Sequence, residues 1–216
     1  MTWTDGGPGL TIVWNKAELN LLGKLDRPIK IQRWLNRIAY DPEYATSSPR
    51  LVIRDRKANC FEGALFAAAA LRQLGHRPLL VDIRSWNDDD HVIAVLRERG
   101  HWGAVAKSNF TVIRFREPVY RSIRELVMSY FDVYFNAIGQ KTMRSYSRPL
   151  DLTRFDRRGW TTTGEDLGYI GDALDEAPHL RVLTPAMVRA LNPADPDLVR
   201  AGLLGSKKSG LFKPKR

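Results

Sequence analysis

The chain carries one cysteine, Cys60, at the head of the run Ala58-Asn59-Cys60-Phe61-Glu62-Gly63-Ala64-Leu65-Phe66-Ala67-Ala68-Ala69-Ala70-Leu71. A thiol attacks a carbonyl as thiolate, or with a base beside it to take the proton, and the unpaired N–H groups of a helix N-terminus favour a negative sulfur. The base expected here is a histidine. Of the four histidines, only His91 follows the cysteine helix at the head of a strand-like segment. His76 follows the helix-ending Gly75, His101 falls in a hairpin loop, and His179 stands beside Pro178. The chemistry open to such a pair is acyl transfer, in which the sulfur adds to an amide or ester carbonyl and the imidazole shuttles the proton. The competing account of Cys60 is a buried core thiol, since cysteine packs well and an alanine-rich helix can be a core helix.

A third residue is needed to accept a hydrogen bond from the other ring nitrogen. Residues 91–96 and 102–106 read as two antiparallel strands around a glycine-containing hairpin. If Arg97 pairs with Trp102, His91 lies opposite Ser108; if Glu98 pairs with Trp102, it lies opposite Asn109, because a one-residue slip exchanges the faces. Asn109 is the expected orienter, its side-chain carbonyl being a better fixed acceptor than a rotating hydroxyl. Gly63, Ala64, Ala67 and Ala68 keep one helix face narrow, so that the strand bearing His91 can approach.

These residues need a scaffold. Two short helices are expected in 15–40, the second with Ile31, Trp34, Leu35 and Ile38 on one face. Residues 41–50 read as loop, a helix runs from Cys60 to Gly75, and 77–85 reads as a buried strand. Asn87-Asp88-Asp89-Asp90 is expected to be a solvated acidic turn, without the spacing of a calcium loop, so no metal is expected. Residues 110–115 read as a further strand, and Pro118 as the start of an amphipathic helix whose stripe is Val119, Ile123, Leu126, Val127, Tyr130 and Tyr134. Beyond Lys141 the pattern weakens to a short strand near 147–155 and short helices near 165–177 and 184–192. Helices and strands in separate runs point to an α+β fold. The expected organisation is an N-terminal segment (1–29), a core (30–137), an extension packed on it (138–205) and a basic flexible tail (206–216).

Cysteine at a helix start, histidine heading a strand and a polar residue on the paired strand resemble the transglutaminase-like cysteine enzymes, relatives of the papain fold. The resemblance rests on ANCF around Cys60, DDDHVIAV around His91 and the tryptophan-containing GHWGAVAKSNF, and covers about 30–137. It implies a cysteine-headed helix packed on an antiparallel sheet and a Cys60 thioester formed on a protein or peptide amide, with His91 as general base and acid. The chain resembles uncharacterised bacterial members of that superfamily. That family usually has Asp third; with Asn109 there, an amide lends the imidazolium no negative charge. The alternative is therefore an inactive module of the same fold that binds an acidic partner or nucleic acid. An acetyltransferase using an acyl-carrier cofactor ranks lower, since no phosphate-cradling glycine loop is present, and no cofactor is expected.

Composition bounds these readings. The 216 residues are 44% hydrophobic and 10% aromatic, enough for a core, and the net charge is +10. Much of that charge sits in Ser206-Lys207-Lys208-Ser209-Gly210-Leu211-Phe212-Lys213-Pro214-Lys215-Arg216, read as a solvated tail able to meet an anionic partner. A single cysteine allows no internal disulfide, the start lacks a secretory pattern, and no apolar run approaches a membrane span; a cytoplasmic protein without membrane insertion is expected.

Overall fold

The computed structural model describes residues 14–43 and 45–215. Part of the expected N-terminal segment 1–29, the start of the chain read for a leader, and Arg216 lie outside the described residues.

The first half builds a helical layer. Helices α1 (Lys16–Lys24), α2 (Pro28–Arg37) and α3 (Pro49–Asp55) precede α4 (Cys60–Gln73), while the short strands β1 (Ala39–Tyr40) and β2 (Lys57–Ala58) pair in parallel. Residues 41–43 and 45–48 carry no helix or strand, as expected of them, but the last two residues of the expected loop open α3, with Pro49 at its first position. Asn59 starts α4 by a capping box: its side chain accepts from the Glu62 N–H and the Glu62 carboxylate accepts from the Asn59 N–H. The other Glu62 oxygen accepts from Ser47 N at 3.0 Å, and Asn59 Nδ2 donates to Ala45 O at 2.8 Å, so the cap also holds the preceding loop.

The sheet follows. Strands β3 (Leu79–Ser85), β4 (His91–Glu98), β5 (His101–Val105), β6 (Arg116–Tyr120), β7 (Met143–Ser147), β8 (Leu150–Asp151) and β9 (His179–Arg181) form one antiparallel sheet of order β6-β5-β4-β3-β7-β9, with β8 also on β3. Helix α5 (Ile123–Met128) follows β6, and α6 (Gly168–Glu176), α7 (Pro185–Arg189) and α8 (Pro196–Gly202) belong to the C-terminal third. The architecture is mixed α+β. One core lies between α1–α4 and the sheet face carrying Leu80, Val92, Ala94 and Leu96; the other lies on the opposite face, where Val81, Ile83, Ile93 and Val95 meet Leu126, Val127, Tyr130 and Tyr134. Helix α4 is buried along nearly its whole length. No helix among the described residues is long and apolar enough to cross a membrane.

Three expectations are corrected. Residues 110–115 are not a strand: Thr111–Ile113 is a 3-10 turn. Pro118 does not open a helix but lies in β6, at the sheet edge where a residue without an N–H is tolerated, and Val119 is 62% exposed rather than core. The helix begins after Ser122, whose hydroxyl caps Glu125 N. The tail is not free either. Residues 207–215 lie against the protein through main-chain bonds to Asn109 and Asn87. Residues 138–205 contribute β7, β8 and β9 to the same sheet as β3–β6, so this extension completes the sheet as well as packing on it.

Candidate active site

The β4–β5 hairpin closes with the two-residue turn Arg99-Gly100, both at positive φ (47° and 83°), and pairs Arg97 with Trp102 and Glu98 with His101. The first of the two registers therefore holds, and extrapolated along the strand it sets His91 opposite Ser108. In such a hairpin the residues flanking the turn exchange hydrogen bonds, so the even-numbered residues of β4 aim their N–H and C=O groups at β5. The last pair is Ala94 with Val105. Beyond it, β5 is drawn away toward α2. Gln32 takes both main-chain bonds of Ala106 (Nε2 to O, 2.8 Å; Oε1 from N, 3.0 Å), and Lys107 Nζ donates to Leu35 O at 2.8 Å and Ile38 O at 2.7 Å at the C-terminal end of α2. The main-chain groups of Asp90 and Val92 are left facing a gap.

The Cys60 sulfur fills that gap. Sγ–H donates to Asp90 O at 3.7 Å, and the N–H groups of Val92 and Phe61 point to the sulfur. His91 lies between Asp90 and Val92, so the thiol rests against the main chain that carries the imidazole. The pleat turns the His91 side chain to the face of Ile93 and Val95, away from α4. Sulfur and ring thus flank one stretch of β4 from its edge and its far face, and both open onto one cavity of about 460 Å³.

The ring is held by a main-chain acceptor. His91 is buried, and its Nε2 lies 3.0 Å from Ile113 O, with the Tyr134 ring 6.4 Å away. A carbonyl only accepts, so Nε2 carries the proton and the lone pair of the neutral ring is on Nδ1. Asn109 does not orient His91, contrary to expectation. Its Nδ2 donates to Lys207 O and Gly210 O, both at 2.9 Å, and its Oδ1 accepts from Lys207 N at 2.8 Å. Ser108 does not orient it either; its Oγ accepts from Phe110 N. The role expected of a side chain falls to the Ile113 carbonyl, which the 3-10 turn presents.

Charge in the site follows from burial. Desolvation pushes the Cys60 thiol up to about 11, against the pull of the Val92 and Phe61 N–H groups, and brings His91 down to about 4. At neutral pH the pair is thiol and imidazole, not thiolate and imidazolium. The acidic turn is not simply solvated. Desolvation raises Asp88 to about 7 although Thr142 Oγ1 donates to it, and raises Asp82 to about 6 although His179 Nε2 stands 3.1 Å from its carboxylate. Asp41, Glu43, Asp82, the Asp88–Asp90 run and Asp175 line the cavity, and no lysine or arginine is among the described residues that do. A protein of net charge +10 has an acidic cavity. No group of three or more His, Cys, Asp or Glu among the described residues is arranged to hold a metal ion.

Asp88 supplies a stability prediction. A carboxyl raised from 3.8 to about 7 contributes stability that is fully present below pH 3.8 and lost as pH rises through 7. Asp88→Asn keeps a carbonyl acceptor and removes the ionisation. Its Tm is expected to match that of the native chain at pH 4 and to exceed it by about 2–4 °C at pH 8, an increment on the order of 1 kcal/mol after solvent screening. Thermal unfolding at the two pH values checks this; an equal offset at both would show that Asp88 does not ionise in this range.

No protein-family model matches the chain, and no curated protein resembles it significantly.

Proposed function

We propose that the protein is a cysteine-dependent acyltransferase or hydrolase acting on amides, built on a transglutaminase-like, papain-related core. The observation that carries this reading is the seat of the Cys60 sulfur: at the first turn of α4, against the main chain of His91, in a cavity shared with an imidazole whose Nε2–H is committed to Ile113 O. The commitment leaves Nδ1 as the base. Support also comes from the cysteine-headed helix packed on an antiparallel sheet, followed after β3 by strands that bear the histidine and a tryptophan.

The chemistry proceeds from neutral partners. His91 Nδ1 takes the thiol proton as Sγ adds to the carbonyl carbon, so the charge pair arises only in the transition state. Main-chain N–H groups at the start of α4, Cys60 foremost, receive the oxyanion. Collapse breaks the C–N bond, the imidazolium returns its proton to the leaving nitrogen, and a Cys60 thioester remains. Water completes hydrolysis, or an amine completes transfer; in either case Nδ1 removes the attacking group's proton and returns it to the sulfur.

Mixing the full chain with 4-nitrophenyl acetate, quenching in acid and mapping peptides by mass tests the reading. An acetyl adduct on the Cys60 peptide that forms and then decays is expected, with faster decay when a primary amine is added. Cys60→Ala is expected to show no adduct there. Failure of the native Cys60 to acylate would remove the proposal.

A further inference from the structure

We infer that the cavity receives a lysine-rich polypeptide segment carrying one 3-10 turn, and that the chain's own residues 207–215, with that turn at Lys208–Gly210, are its resident occupant. This deepens the proposed function by naming the substrate class. Two asparagines hold the segment by main chain alone. Asn109 brackets Lys207 and Gly210 with the three bonds given above, and Asn87 accepts from Lys215 N at 2.7 Å and donates to Lys215 O at 2.8 Å. Paired donor and acceptor bonds to one residue's N–H and C=O, at Lys207 and again at Lys215, recognise backbone rather than side chains, and the further Asn109 bond to Gly210 O spans the 3-10 turn at Lys208–Gly210. Asn87 has φ 55°, in the left-handed region that asparagine tolerates better than most residues, and its Nδ2 is shared with Gln140 Oε1 at 2.8 Å. Between the clamps, Ser209, Gly210, Leu211 and Phe212 line the same cavity as Cys60 and His91.

Side-chain preference is written on the occupant. A Cβ at Gly210 would stand 2.8 Å from two carbons of the Tyr40 ring and 3.2 Å from Asn109 Nδ2, so the groove passes a glycine at this point. Leu211 and Phe212 are half-buried behind it, whereas Lys207, Lys208, Lys213 and Lys215 remain exposed. Of the lining carboxylates, Asp41 and Glu43 are paired with Lys57 and Asp82 and Asp175 with Arg84, so the acidic turn Asp88–Asp90 is what draws cationic chain toward the mouth of the cavity. The preferred ligand is therefore a peptide with a glycine at the end of a tight turn, an apolar pair after it and lysines on either side. The tail meets that description and shields Cys60 until a competing segment displaces it.

The test uses the full chain. Gly210→Val lies in the tail, outside both cores, and expels the segment by its contact with Tyr40. Iodoacetamide is expected to label Cys60 at least tenfold faster in this variant than in the native chain. A fluorescent peptide of residues 206–216 is expected to bind Gly210→Val in anisotropy measurements and to restore slow labelling, with the native chain binding it at least tenfold more weakly. Exchanging the peptide's lysines for glutamate is expected to abolish binding. Equal labelling rates with no peptide binding would overturn the occupant, and undiminished binding of the glutamate peptide would overturn the cationic preference. Anisotropy needs no turnover: peptide binding without a Cys60 thioester would sink the catalytic reading alone, and a thioester without peptide binding would sink the groove alone.

Discussion

His91→Gln is expected to slow iodoacetamide labelling of Cys60 at pH 7 by about 10²-fold or more, the usual contribution of a positioned base. Glutamine is the informative replacement because its Nε2 can still donate to Ile113 O, so the hydrogen bond that seats the ring is kept while the Nδ1 lone pair is lost. The pH profile separates this from damage to packing. With the thiol pushed up to about 11, an unassisted sulfur reacts about tenfold faster for each pH unit up to that value. With the neutral imidazole that shares its cavity taking the proton, the native rate is expected to be flat from about pH 5 to pH 8 and to fall only as His91 protonates near 4. The variant is expected to lose the plateau and follow the unassisted slope. Parallel profiles in the two proteins would show that His91 does not take the thiol proton.

The same substitution has a signed effect on stability. His91 is brought from 6.5 to about 4 by desolvation, so its neutral burial contributes stability fully present above pH 6.5 and lost as pH falls through 4. The ceiling is about 3 kcal/mol, from 1.36 kcal/mol for each pKa unit. His91→Gln is thus expected to resist acid unfolding between pH 6.5 and 4 better than the native chain. Asp88 and Asp82, raised rather than lowered, act in the opposite sense over the same window.

What could be read from residue types was what residue types determine. The helical pattern from Cys60, the small face of α4 and the apolar run Val92–Leu96 in β4 each leave a mark in residue types, and from these came the helix start, its contact with the sheet and the strand that carries His91. The hairpin register stayed open because its two-residue turn puts Arg99 at positive φ, an uncommon choice that composition does not signal. The partner of His91 had no signature at all, since a main-chain carbonyl can belong to any residue. Ser122 and Glu125 did carry a capping signal, which the apolar stripe beginning at Val119 obscured. The tail reads as solvated by composition, and the amides that hold it lie about a hundred residues earlier in the chain.

Gly63→Ala is expected to lower stability by about 3 kcal/mol, or about 6–12 °C in Tm, and to disturb the thiol at the same time. A Cβ at Gly63 would lie 2.2 Å from Lys107 Cβ and 3.5 Å from its Cα, so the obstruction is the root of a side chain and cannot swing aside. Either α4 must withdraw from the sheet or the segment after β5 must move. Both outcomes reach Cys60. Lys107 is tied to the end of α2 through Leu35 O and Ile38 O, and that tie, with the Gln32 bonds to Ala106, is what keeps β5 off the edge of β4 where the sulfur sits. Moving Lys107 therefore alters the seat of the thiol, and Gly63→Ala is expected to change the Cys60 labelling rate as well as the Tm. Lys107→Gly separates the two causes: alone it loses the Nζ bonds and is destabilising, yet it removes the obstructing Cβ. In the double variant the cost of Gly63→Ala is expected to fall to within about 0.5 kcal/mol of zero, a strongly non-additive cycle. An additive cycle would show that the narrow face of α4 is not what sets its distance from the sheet, and with that the account of why the sulfur meets the His91 main chain would fail.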